Sequence, residues 1–307
     1  MGKFTNIHLF VKKISRNLFT KQNLQKIQFV IKNIITIANQ SKCNLHFDIS
    51  CSQFLDQNFK YKINKHKTLA DKSELNSDLI IIIGGDGSML KAIRENINND
   101  IPILGINQGR LGFLTDLNVD ELRVNLDEIL KGKYIQEKRS LLQATIKKIK
   151  HNKPTNIKYH AVNEIVLYND KIPKLIEFQI YINGKFVLQQ RADGLVIATP
   201  TGSTAYSLSA GGPILDPKLK VITLVPLYPH TLSSRPIVVN EDSIIELKII
   251  NQNPNIEYGL NFDGQKNLGL NTEDQITIAK HPKEFTLIHP TDYNYFSILR
   301  EKLGWNN

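Results

Sequence analysis

Asp78-Leu-Ile-Ile-Ile-Ile-Gly-Gly-Asp-Gly87 is the stretch that decides the fold. Its apolar run is β-branched from Ile80 to Ile83, shows no alternation and is too short for a buried helix. It therefore predicts a strand covered on both faces, the situation of a parallel strand between helices. The glycines end that strand in a tight turn. Beyond it, Ser88-Met-Leu-Lys-Ala-Ile-Arg94 predicts a helix with Met89, Leu90 and Ile93 as its buried stripe. Ile103 to Ile106 is a further strand and runs into Asn107-Gln-Gly-Arg-Leu-Gly-Phe-Leu114, a second glycine-bearing loop. Strand, glycine turn, helix and strand in that order define an open α/β sheet.

The same reading extends upstream. Ile7 to Val11 and Leu45 to Ile49 are strand candidates, separated by Leu24, Ile27, Ile31, Ile34 and Ile35 at helical spacing. Downstream of residue 136 period-two segments take over. Phe178, Ile180 and Ile182 alternate up to Asn183-Gly184, and Phe186 and Leu188 resume beyond it, which predicts a hairpin with a tight turn. Ile245, Leu247 and Ile249 alternate, as do Ile276 and Ile278. The chain thus divides into an α/β domain with an open parallel sheet at 1–136 and a mostly-β domain at 137–289. In the tail, Tyr295, Phe296, Leu299 and Leu303 recur at helical spacing, so 290–307 is expected to return to the first domain as a helix.

Composition narrows the function classes. The 307 residues, 41% hydrophobic, suffice for a full core and about two domains. No segment approaches the ~20 apolar residues of a membrane-spanning helix, so no membrane partner is expected. Lys12 and Lys13 interrupt what a secretory leader needs, and Asn6 stands where a myristoylation motif has Ser or Thr, which points to the cytoplasm. Cys43 and Cys51 have no metal-ligand spacing and read as reduced thiols. The net charge of +10 is dispersed, and its densest group, Lys147, Lys148, Lys150 and Lys153, has no interleaved aromatics, so nucleic acid is not an expected partner.

Three features carry chemistry. Gly84-Gly-Asp-Gly87 presents backbone amides and a helix N-terminus suited to phosphate, with a carboxylate in their midst. Such a carboxylate is repulsive to phosphate unless a metal ion or a substrate hydroxyl fills the gap; the alternative is a structural N-cap. Neither a Gly-x-x-x-x-Gly-Lys loop nor a Gly-x-Gly-x-x-Gly fingerprint occurs. Thr199-Pro-Thr-Gly-Ser-Thr-Ala-Tyr-Ser-Leu-Ser-Ala-Gly-Gly-Pro-Ile214 concentrates hydroxyls, glycines and one aromatic after Arg191-Ala-Asp-Gly194 and an apolar strand, and reads as a ligand loop with Tyr206 able to stack on a base or ribose. Asn163-Glu164 opens Ile165-Val-Leu167; in an extended chain the two side chains point to opposite faces unless a turn or bulge intervenes.

Taken together and in this order, these motifs resemble the signature set of the bacterial NAD kinases. Gly105 to Leu114, Leu224-Val-Pro-Leu-Tyr-Pro-His-Thr-Leu-Ser-Ser-Arg-Pro236 and Leu303-Gly-Trp305 fit the same family, whereas the first ~60 residues resemble it least. The resemblance implies phosphoryl transfer from ATP to the 2′-hydroxyl of the adenosine ribose of NAD, with Asp86 as the catalytic acceptor of the hydroxyl proton and Gly87 allowing close approach. It implies that Asn163 and Glu164 hold the adenine side or ribose. Thr204, Ala205, Tyr206, Ser207, Leu208 and Ser209 would line the NAD pocket, Asp193 would take the nicotinamide end, and Lys174, Arg191 and Gln265 are further substrate contacts. Arg191 favours a nucleotide over polyphosphate as donor. A divalent cation, Mg²⁺, is expected with the triphosphate rather than in a cage of protein ligands. The resemblance also implies a homodimer or homotetramer.

Overall fold

Leu79 to Ile83 is a strand with all five side chains buried, as its unbroken apolar sequence requires. The computed structural model describes residues 4–11, 21–48, 67–69, 76–107, 112–119, 121–150, 153–169, 175–250 and 257–305. They fall into two units, Met1–Lys138 with Phe285–Asn307, and Arg139–Glu284.

In chain order the first unit holds β1 (Asn6–Val11), α1 (Lys21–Gln40), β2 (Asn44–Asp48), β3 (Lys67–Leu69), β4 (Leu79–Ile83), α2 (Asp86–Asn96), β5 (Ile103–Ile106), α3 (Leu122–Leu130) and β6 (Ile135–Arg139). The second holds β7 (Leu142–Lys150), β8 (Lys153–Ala161), β9 (Glu164–Asn169), β10 (Ile176–Ile182), β11 (Lys185–Ala192), β12 (Gly194–Ala198), the single turn α4 (Tyr206–Ser209), β13 (Val221–Leu227), β14 (Ile237–Asn240), β15 (Ile245–Ile249), β16 (Tyr258–Phe262), β17 (Lys266–Leu270) and β18 (Gln275–Lys280). β19 (Phe285–His289) and α5 (Tyr295–Leu303) return to the first unit.

The first unit is built on a sheet of order β3-β2-β1-β4-β5-β19-β6. The β1–β2, β1–β4, β2–β3, β4–β5 and β5–β19 pairs are parallel. The order runs backwards from β1 to β3 and forwards from β4, so the carboxyl ends of β1 and β4 flank the reversal point at which open α/β sheets place ligands. Ile27, Ile31, Ile34 and Ile35 of α1 are buried in one cluster with Leu9, Leu45, Ile81 and Ile83, each worth roughly 1.5–3 kcal/mol of burial. Leu24, the first member of the expected stripe, is half-buried. No helix among the described residues is long and apolar enough to cross a membrane.

The second unit is a sandwich of two antiparallel sheets, β11-β10-β15-β18-β7-β8 and β14-β13-β12-β9-β16-β17. Phe178, Ile180, Ile245, Leu247, Ile276 and Ile278 of the first sheet meet Ile165, Leu167, Leu195, Ile197, Leu260 and Phe262 of the second in one core. β12 is buried on both faces, because Val196 and Ala198 join Val166, Val225 and Leu227 in a smaller cluster on the far side. Asn183 and Gly184, with φ of 53° and 73°, make the tight turn between β10 and β11. Lys148, one of the densest group of basic residues, donates from Nζ to Gly269 O at 2.7 Å and lies 3.8 Å from Asp274.

α5 starts on Asn294, whose side chain accepts from the Phe296 and Ser297 amides, and ends on Gly304 at φ 65°. Its buried pair is Ile298 and Leu299, while Phe296 is 58% exposed. Leu299 is the buried member of the expected stripe and Tyr295 and Leu303 are half-buried, while Ile298 takes the inward place that Phe296 does not. Truncation in the parallel sheet is expected to be costly: Ile81→Ala should lower the unfolding free energy by about 2–5 kcal/mol in urea titrations, and a change below about 1 kcal/mol would contradict its full burial.

Candidate active site

The turn after β4 places a carboxylate at a helix N-terminus. Gly85 is the N-cap, with φ −98° and ψ −173° and no side-chain cap, and the amides of Ser88 and Met89 donate to its carbonyl at 2.8 and 3.2 Å. Asp86 is thus the first helical residue and not the N-cap. That carboxylate reaches the loop after β5: Phe113 N donates to Oδ2 at 3.0 Å and Leu114 N to Oδ1 at 3.1 Å. Two amide donors set the orientation of the group and leave lone pairs on both oxygens. Gly87 lies exposed in the first turn, and around a Cβ built on Gly85 there is no atom within 4 Å. The space before the helix is open, and first-turn amides with the helix dipole favour an anion there.

Gly112 explains why the loop approaches so closely. A Cβ at this position would lie 2.1 Å from Asp86 Oδ1 and 2.5 Å from Thr115 Oγ1. The loop is closed by Gly112 N on Thr115 Oγ1 at 3.2 Å, and its far end is tied to β5 by Asn107 N to Leu117 O at 2.9 Å and Leu117 N to Gly105 O at 3.3 Å.

In the second unit a different carboxylate organises the site. Asp263, at φ 52° in the turn between β16 and β17, accepts the amides of Val162 (3.1 Å), Asn163 (2.7 Å) and Glu164 (3.3 Å). This bend before β9 is the turn that the Asn163-Glu164 pair requires. Thr199 continues the assembly, its Oγ1 donating to Val162 O at 2.7 Å and accepting from Gly202 N at 3.1 Å. A Cβ on Gly202 would meet Asn163 O at 2.2 Å, so the loop after β12 lies directly on the Asn163 backbone. Glu164 is buried, and only the Tyr206 amide offsets that burial. Burial first and the neighbouring Asp263 charge second push its carboxyl up to about 8. Glu164 and Tyr206 line a cavity of about 420 Å³ with Val166, Tyr168, Leu227, Asn261, Gly264 and Asn267.

Of the residues expected from sequence, Glu164 and Tyr206 line this cavity, and Asn163 is its immediate neighbour in chain, with Oδ1 buried and unpartnered. Thr204 Oγ1 donates to Thr201 O at 3.3 Å and Ala205 N to Gly202 O at 2.9 Å, so both serve the loop itself. Ser207 is fully buried with an unpartnered Oγ, Leu208 is half-buried and Ser209 is exposed. Asp193 sits half-buried in the bend between β11 and β12, its amide on Leu227 O at 2.9 Å. Arg191 is exposed on the edge strand β11 opposite Glu177, and Gln265 is exposed in the β16–β17 turn. Lys174 lies outside the described residues. Sequence reasoning missed Asp263, Gly112 and the cavity residues Tyr168, Asn261 and Asn267. For Asp263 a signal existed, since Asp-Gly between two strands marks a turn with positive φ. Among the described residues no three His, Cys, Asp or Glu side chains gather as a cation site.

The ATP-NAD kinase N-terminal domain model matches residues 8–134 and the C-terminal domain model residues 162–290. The chain belongs to the NAD kinase family. It is 49% identical to the NAD kinase of Tolumonas auensis over 232 residues, 76% of this chain and 78% of that protein. It is 51% identical to the NAD kinase of Pseudomonas entomophila over 231 residues, 75% and 76% of the two chains. Yeast NADH kinase, solved in complex with NADH, superposes with a TM-score of 0.83 at 27% identity, over 99% of this chain and 88% of that one. The two NAD kinase domain matches include Asp86 and its amide donors on one side, and Asn163, Glu164 and Asp263 on the other.

Two outcomes follow for this chain. Gly112→Ala should displace Asp86 and lower kcat at least about 10-fold with the fold retained by circular dichroism; wild-type kcat would show that the close approach is dispensable. For Glu164, the folded pKa lies above the unfolded one, so the folded state holds a proton that the unfolded state releases. Stability is therefore lost as pH rises from about 4.5 to about 8 and is flat above. Glu164→Gln should remove that component, gaining on the parent by a few kcal/mol between these limits in pH-dependent melts, and parallel curves would refute the shift.

Proposed function

We propose that this chain transfers the γ-phosphoryl group of ATP to the 2′-hydroxyl of the adenosine ribose of NAD, giving NADP and ADP. The observation that carries the reading is the Asp86 carboxylate, oriented by the Phe113 and Leu114 amides beside an open helix N-terminus. In the transfer the 2′-oxygen bonds to the γ-phosphorus, the bond from that phosphorus to the β–γ bridging oxygen breaks, and ADP leaves with the bridging oxygen. Asp86 accepts a hydrogen bond from the hydroxyl and takes its proton late, as positioning and charge stabilisation supply most of such catalysis. Gly87 and the first-turn amides of α2 face the anionic groups.

The dinucleotide falls to the second unit. Tyr206 offers its ring, 48% exposed, for stacking, and Glu164, neutral below about 8, donates as well as accepts hydrogen bonds. Asn163 Oδ1 and Ser207 Oγ are buried polar atoms without partners and are assigned to ligand donors. Asp193, Arg191, Gln265, Thr204, Ala205, Leu208, Ser209 and Lys174 remain assigned to substrate contacts on family likeness. A divalent cation, Mg²⁺, enters with the triphosphate and neutralises its charge, keeping waters of its own. The reading includes a cytoplasmic location and a homodimer or homotetramer; Tyr228 and Leu232, 81% and 95% exposed, support an assembly surface on the second unit.

The test is NADP⁺ formation from NAD⁺, ATP and Mg²⁺ by the purified chain, read by an NADP-specific dehydrogenase, with polyphosphate as a parallel donor. Asp86→Asn should keep NAD⁺ binding within about 3-fold and lose at least about 100-fold in kcat. Turnover equal to the parent would remove Asp86 from the reaction.

A further inference from the structure

We infer that His289, acting through Asp116, is a positioning residue for Asp86, an inference that rests on the proposed role of Asp86 in the transfer. The Phe113 and Leu114 amides belong to the short loop closed by Thr115 and bridged to β5 at Leu117. Asp116 lies inside that loop, with its side chain only 4% exposed and its Oδ2 on the Nδ1 of His289. Its other oxygen, Oδ1, is buried with no hydrogen-bond partner among the described residues, where the imidazole is what holds this carboxylate.

His289 is itself immobilised. It ends β19, which pairs in parallel with β5 through Leu287 and Ile103, and it is fully buried. Its ring stacks on Tyr293 at 3.8 Å between centroids and 18° between planes. Nε2 faces Glu137 Oε2 of β6 at 4.0 Å. Packing alone is served as well by an apolar ring, and a buried imidazole between two carboxylates is costly unless its polar contacts do something. What the Asp116 contact does is join the Asp86 loop to the end of β19, an interior strand paired with β5. Asp116 lies two residues from Leu114 and three from Phe113 in a short loop closed by Thr115 and bridged at Leu117, so its anchorage limits where those two amides can sit, and a displacement of about 1 Å in a reacting geometry costs on the order of 100-fold in rate.

The experiment uses the full chain with Asp116→Asn and His289→Gln, each alone and combined with Asp86→Asn, in steady-state NADP⁺ formation with melting curves alongside. The expected result is a fall in kcat of at least about 10-fold with KM for NAD and for ATP within about 3-fold, and disappearance of that fall in the Asp86→Asn background. Amide exchange at Phe113 and Leu114 should accelerate at least about 10-fold while that of β4 and β5 is unchanged. The inference is overturned by kcat within about 2-fold of the parent, by an equal loss in the Asp86→Asn background, or by full recovery on cooling below a lowered melting point. Exchange reads the linkage without turnover, so an inactive parent chain would sink the proposed reaction and leave unaltered exchange at 113 and 114 to sink this one.

Discussion

The structure of the first unit converges on one contact, the Asp86 carboxylate against the Phe113 and Leu114 amides. The carboxylate stands at an open helix N-terminus and is held there by backbone groups that carry no counter-charge. That arrangement has geometric preconditions. β4 and β5 must be adjacent and parallel so that their carboxyl ends open side by side, which the Ile83–Ile106 register and the Gly84 amide on Ile106 O provide. The second loop must then come within van der Waals distance of the first, which only a glycine at 112 permits. The doubly wound strand order, the apolar run of β4 and the glycine spacing are thus consequences of a single placement.

The second unit uses the same device in another way. Asp263 gathers three consecutive amides, from Val162 to Glu164, and accepts a positive φ to do so. Glu164, beside it, receives one amide, from Tyr206. The unequal sharing of donors means that the burden of burial falls on Glu164, whose carboxyl is pushed up to about 8. A neutral carboxyl presents one donor and several acceptor sites, a pattern suited to a hydroxyl or a base edge rather than to a cation.

Much of this was legible beforehand where one physical pressure dominates. The run from Leu79 to Ile83 has no solution other than a buried strand, the Asn183-Gly184 pair selects its turn by φ alone, and the alternating segments of the second unit have one apolar face each. The α1 stripe was read from its spacing for the same reason. What escaped depends on pairs far apart in the chain. The Asp86–Leu114 contact spans 28 positions, the Asp263–Asn163 contact 100 and the His289–Asp116 contact 173. No local propensity encodes such pairs. On α5 the spacing picked out Leu299 but not its buried neighbour Ile298, because Phe296 and Ile298 are both apolar and only tertiary packing chooses between them.

The loop from Thr199 to Ile214 spends much of its hydroxyl content on its own backbone. Its hydroxyl content invites the view that hydroxyls line a pocket, yet Thr199 bonds Val162 O, Ser203 bonds Pro200 O and accepts from the Leu215 amide, and Thr204 bonds Thr201 O. These side chains replace the backbone ladder that an irregular segment lacks, as short polar residues do in turns. The glycines set its shape: Gly202 lies on the Asn163 backbone, and Gly212 would bring a Cβ to 2.5 Å from Ser207 Oγ. The Tyr206 ring, the unpartnered Ser207 hydroxyl and the Glu164 carboxyl beneath the Tyr206 amide are not engaged in this self-bonding. The self-bonded hydroxyls therefore maintain the shape of the loop in place of the ladder that a regular element would supply.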